Sequence, residues 1–169
     1  MKSNFIVVLL ISLYILLPII LYRVHHWRMA QFCYYMSVSS NCRKFFCYML
    51  LLSALFFHFV YFNSYNKEWG LMVSTLPMLL MFSIKWQQWF LERLRDRRKE
   101  LWSFTVWTLL AAITPHMFTL GVTFAILIVG VAFYPSRTIR GVDPHFISEA
   151  YSRVMITRDY RKFISCYFE

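Results

Sequence analysis

Two histidines sit in strongly apolar surroundings, His58 within 45–62 and His116 within 102–134. An ionisable side chain in membrane-depth sequence marks a candidate ion path or proton relay. A relay needs a second titratable group, and no Asp, Glu, Lys or Arg lies within the cores of these apolar runs. A neutral His58, bonded to a Ser, Thr or Tyr on a neighbouring helix, is therefore the expectation. A metal site would draw on His25, His26, Cys33 and Cys42, since imidazole and thiolate are good zinc ligands. Adjacent histidines diverge on a helix, and eight residues separate the two cysteines, so no metal is expected. Catalysis has no better footing. There are no paired carboxylates, no nucleophile with a recognisable base and no Gly-rich phosphate loop. Asp143-Pro144-His145 offers two catalytic residue types without a third partner. The chain reads as a non-enzyme with no cofactor.

The elements that carry these residues follow from hydropathy. The chain has 169 residues, of which 59% are hydrophobic and 20% aromatic. That is too apolar for an ordinary soluble domain of this length. Apolar runs alternate with clusters of Lys and Arg almost without mixing, as in a polytopic helical membrane protein. The predicted class is all-α, with about five transmembrane helices over 4–22, 45–62, 69–86, 101–114 and 117–134. A four-span chain is the alternative. The run 102–134 decides between them: as one helix its 33 residues would extend about 50 Å, against a hydrocarbon core of about 30 Å. Thr114-Pro115-His116 in its middle suits a hairpin, because proline disfavours helical geometry in the residue before it. The first run lacks a small-x-small cleavage site and reads as a span rather than a signal peptide.

Orientation follows from the basic clusters. With the N-terminus outside and five crossings, loops 23–44 and 85–101 and the tail all face the cytoplasm. The predicted location is the bacterial inner membrane, with a bundle over 1–135 and a cytoplasmic tail over 136–169. That face is reducing, so Cys33, Cys42, Cys47 and Cys166 are expected as free thiols. Cys166, four residues from the end, resembles a prenylation box only in position, and no lipidation is expected. The net charge of +10 is explained by cytoplasmic loops rather than by nucleic acid.

Residues 85–101 read as an interfacial helix, with Trp86, Phe90 and Leu94 as its apolar stripe and Glu92–Arg95 and Asp96–Lys99 as charge pairs. Its cations, Arg93, Arg95, Arg97, Arg98 and Lys99, would meet anionic headgroups or a partner. The tail reads as a broken amphipathic helix carrying Arg153, Arg158, Arg161 and Lys162. Gly121 with Ala125, and Thr108 with Ala112, form small-xxx-small pairs suited to close helix packing. The expected partners are anionic inner-leaflet lipids and another membrane protein or a second copy. The expected function is contact-based, of the accessory, immunity or exclusion type found on bacterial mobile elements. A small channel or transporter using His58 and His116 is the alternative.

Overall fold

A computed structural model describes residues 27–64, 69–114 and 116–168. The expected span 4–22, His25, His26 and the hinge residue Pro115 lie outside the described residues. The described elements are all helical: α1 Trp27–Val38, α2 Ser40–Ser64, α3 Trp69–Phe82, α4 Ile84–Asp96, α5 Arg98–Ile113, α6 Phe118–Phe133, α7 Arg137–Arg140, α8 Pro144–Thr157 and α9 Tyr160–Phe168. They fall into two compact units, one over Asn41–Tyr134 and one from the segments on either side of it.

Helix α6 is the centre of the first unit. It is apolar all round, and Gly121, Val122, Ile126, Leu127 and Val131 are buried. Helix α5 returns against it through a tight turn, in which the Met117 N–H donates to the Thr114 carbonyl at 3.2 Å. His116 closes the turn with φ 65°, a left-handed conformation uncommon outside Gly, Asn and Asp. Gly121 lets the two helices touch backbone to backbone: a Cβ there would lie 2.9 Å from both Cα and N of Ala112. Helix α3 seats its first turn on the same corner. The Gly70 N–H donates to the His116 carbonyl at 2.8 Å, and a side chain at Gly70 would strike that oxygen.

Only α2 among the described helices is by itself long and apolar enough to cross a membrane, over Ser40–Asn63. At about 1.5 Å per residue its 25 residues extend about 37 Å. The apolar run read as one span over 69–86 is divided. Helix α3 stops at Phe82, Ser83 takes an extended conformation (φ −83°, ψ 101°), and α4 leaves at 102° to α3. A second break falls at Arg97, φ −113°, so 85–101 is not one helix and its last residues open α5. The buried face of α4 is Gln87, Leu91 and Leu94, whereas Trp86 is 45% exposed. The stripe is thus turned by one residue from the Trp86–Phe90–Leu94 reading. Leu91 fills the space beside Gly130, and the Gln87 amide reaches α2, which sets the helix's rotation.

In the second unit α1 packs against α7, α8 and α9, with Tyr34 stacked on Tyr151 at 4.4 Å. Asp143 caps α8 by accepting from the His145 N–H at 2.9 Å, with Pro144 in the first turn, where its missing N–H costs nothing. Arg158, φ 57°, ends α8 in a left-handed residue, and α9 starts two positions later. The amphipathic part of the tail is therefore two short helices, α8 and α9, broken at 158–159.

Candidate functional site

The polar contacts within the apolar unit define its most specific geometry. His58 Nδ1 on α2 lies 3.3 Å from Ser74 Oγ on α3. The same hydroxyl lies 3.0 Å from the Leu71 carbonyl of its own helix. A serine has one hydroxyl hydrogen. If the Leu71 carbonyl takes it, Nδ1 must carry the imidazole proton and donate to Oγ. His116 is exposed at the hairpin turn and contributes its backbone carbonyl, through Gly70, rather than its ring.

Gln87 is the polar residue that spacing along the sequence does not reveal. It is 3% exposed, and its Nε2 donates to the Cys47 carbonyl of α2 at 3.2 Å. Its Oε1 is buried with no hydrogen-bond partner. Gln87 lines an otherwise apolar cavity of about 360 Å³ beside the α3–α4 bend, together with Val73, Pro77, Trp86, Phe104 and Phe124. A second apolar cavity, about 440 Å³, lies within the other unit, where Phe146, Ile147 and Phe163 are joined by Lys162 and Cys166.

The basic residues named from sequence divide into several environments. Arg95 Nη1 donates to the Ala132 carbonyl at 3.1 Å, satisfying a last-turn carbonyl of α6 where the helix dipole favours a cation. Arg93 and Arg97 converge on Glu100, at 3.2 and 2.6 Å. Arg98 and Lys99 are exposed. In the tail, Arg153 pairs with Glu149 at 2.5 Å and Lys162 with Asp159 at 3.4 Å, while Arg158 and Arg161 are exposed. Exposed tail pairs of this kind contribute little to stability, so they shape the surface more than they hold it. Burial, followed by the neighbouring Tyr35, Tyr160 and Tyr34, pushes the Tyr151 phenol above its ordinary range.

The hydrogen bonds from Arg97 and Arg93 hold the Glu100 carboxyl below its ordinary range. A carboxyl depressed in the folded state contributes its stabilisation above the unfolded-state pKa, and loses it as pH falls through the folded-state value. Glu100→Gln is therefore expected to speed amide exchange at 97–101 at neutral pH. Wild type should approach the variant's rate, after correction for intrinsic exchange, only on acidification below the ordinary carboxylate range. A variant indistinguishable from wild type at neutral pH would show that the junction does not depend on these bonds.

Of the packing residues, Gly121 and Ala112 meet across the hairpin. Thr108 is buried and gives its hydroxyl to the Phe104 carbonyl at 2.8 Å, while Ala125 is half-buried on α6. Cys33 and Cys47 are buried, Cys42 is half-buried and Cys166 exposed, and none of the four is in a disulfide. Among the described residues no three His, Cys, Asp or Glu side chains come together as a metal site. No family model, curated protein or solved structure matches the chain.

Proposed function

We propose that this chain is a small, non-enzymatic, multi-pass membrane protein that acts by binding another membrane protein. The observation that carries this reading is the outward direction of its apolar side chains. Along α2, Phe45, Leu52, Phe56 and Phe59 recur on one side and are 56–66% exposed. Trp69, Met72, Leu76 and Leu79 of α3 and Trp102, Trp107 and Ile113 of α5 are likewise exposed. A soluble protein seldom leaves so many large apolar side chains in water; lipid and a partner helix both accept them. The divided run Trp69–Asp96 fits a segment that enters the membrane as α3 and turns along its surface as α4, carrying cations to headgroup level. In this reading the basic clusters and the tail face the cytoplasm, and the membrane is a bacterial inner membrane.

Contacts rather than transport are favoured because His58 is engaged with Ser74 and has no charged residue beside it in sequence. The pair reads as a polar lock between α2 and α3. Reconstituted vesicles should show no ion or solute flux above protein-free controls, in wild type or in His58→Phe. Flux that His58→Phe abolishes would replace this reading with a channel. The contact itself is tested by isolating the full tagged chain from its native membrane in mild detergent. One membrane protein, or a second copy, should accompany it at fixed stoichiometry. Recovery of a lone monomer under conditions that keep other membrane complexes intact would contradict the proposal.

A further inference from the structure

The apolar cavity at the α3–α4 bend is bounded on one side by helix faces that turn cationic one turn further on. Phe90 of α4 and Phe104 of α5 line it and meet edge to face at 5.7 Å. Arg93 follows Phe90 by three residues and Trp86 by seven, and Glu100 precedes Phe104 by four, spacings that share a helix face. Glu100 accepts from Arg93 Nε on one oxygen at 3.2 Å and from Arg97 Nη1 on the other at 2.6 Å. Both carboxylate oxygens are thus engaged, and two guanidiniums share one negative charge. Each guanidinium commits to Glu100 one of its five N–H donors. The two side chains are 44% and 58% exposed, so the remaining donors can be reached from outside. Leu76 and Leu80 also line the cavity and are exposed, so it opens outward.

We propose that the cavity and the Arg93–Arg97 pair form one site for an anionic phospholipid, with an acyl chain in the cavity and the phosphate on the two guanidiniums. Guanidinium donors match phosphate oxygens in pairs, and basic pockets between membrane helices suit lipid headgroups. At about 360 Å³ the cavity lies near the lower end of ligand pockets, which suits one chain, with the second left in the bilayer. A zwitterionic headgroup brings an ammonium for which Glu100 has no free oxygen. An acidic peptide would meet the cations but leave the apolar cavity empty. Arg98 and Lys99, although exposed, lie about 120° and about 140° around α5 from Phe104 and belong to another face. The site rests on the membrane reading above, since α4 must lie at headgroup level, but not on the protein contact.

The test uses the full chain, delipidated in mild detergent, and two probes with identical acyl chains, dioleoyl phosphatidylglycerol and dioleoyl phosphatidylcholine. Native mass spectrometry across a lipid titration reads the affinity of the first bound lipid. Wild type should bind phosphatidylglycerol roughly tenfold more tightly than phosphatidylcholine, the scale of one charge-assisted contact. The double variant Arg93→Gln, Arg97→Gln should bring that ratio towards one. Arg98→Gln with Lys99→Gln removes the same charge from the other face and should leave the ratio near tenfold. Leu80→Trp, at the cavity mouth, should weaken both lipids. A wild-type ratio near one overturns the proposal, as does an equal loss in the two double variants, which would mean diffuse attraction to a basic surface. So does unchanged binding in Leu80→Trp, or an acidic protein, in place of lipid, that the Arg93, Arg97 variant no longer captures. If that variant does not fold, the wild-type ratio, the Arg98, Lys99 control and Leu80→Trp decide together. Carbonate extraction of native membranes separates the two readings. A chain released by carbonate refutes the membrane reading, whereas a retained chain with a ratio near one refutes this site alone.

Discussion

Gly121→Val is expected to destroy the α5–α6 hairpin, while Gly130→Ala, on the same helix, is expected to be tolerated. At Gly121 an added Cβ meets Ala112 Cα and N at 2.9 Å, and two helix backbones cannot separate locally without giving up their contact along its length. At Gly130 the nearest atom is closer still, Leu50 Cδ1 at 2.6 Å, but it is the end of a flexible side chain with other rotamers. Overpacking commonly costs about 1–3 kcal/mol and more where the backbone must move. If the two helices lie in a membrane, as proposed, close backbone approach is a principal source of their association, so a branched side chain removes it directly. Amide exchange across 104–126 in detergent should rise strongly in Gly121→Val and stay near wild type in Gly130→Ala. Equal protection in the two variants would show that the Gly121–Ala112 contact does not hold the hairpin.

Leu91→Ala should be the most damaging truncation on α4. Leu91 is fully buried, and its side chain reaches the Gly130 position of α6, where Leu50 of α2 also arrives. Three helices therefore meet on one leucine. Removing it costs about 2–5 kcal/mol when the surroundings cannot collapse into the space. Trp86→Ala removes a larger side chain, but Trp86 is 45% exposed and should cost less. Thermal unfolding in detergent should rank Leu91→Ala well below Trp86→Ala. The reverse order would mean that the tryptophan stripe, and not Leu91, faces the core.

That comparison also shows where the sequence stops being informative. The all-α class was legible, because long apolar runs without period-two alternation leave no other reading. The turn near 114–117 was legible from Thr114-Pro115-His116, and the interruption of the tail from the rotation of its apolar positions after Val154. The rotation of α4 was not. Trp86–Phe90–Leu94 and Gln87–Leu91–Leu94 share a residue and differ by about 100°, the angle between successive side chains on a helix. Hydrophobicity alone selects the set with tryptophan. The Cys47 carbonyl that draws Gln87 inward comes from a helix forty residues earlier, and no local pattern encodes it. The breaks at Ser83 and Arg97 carry no Pro or Gly signal either. The expected Asp96–Lys99 spacing crosses the second break, where helical neighbour rules no longer apply. Around it, Glu100 gathers Arg93 and Arg97 instead. His58 was legible as a polar group in an apolar run; that Ser74 would face it depends on how α2 and α3 pack.

The partner-binding reading rests on whether the exposed face of α2 meets protein in the native membrane. A photo-reactive amino acid in place of Phe56, which is 56% exposed in the middle of that face, tests it most directly. Irradiation of intact cells should link the full chain to one other membrane protein, or to a second copy, in a discrete band of defined mass. Attachment at that position to lipid alone, with no protein adduct from Phe45, Leu52 or Phe59 either, would contradict it.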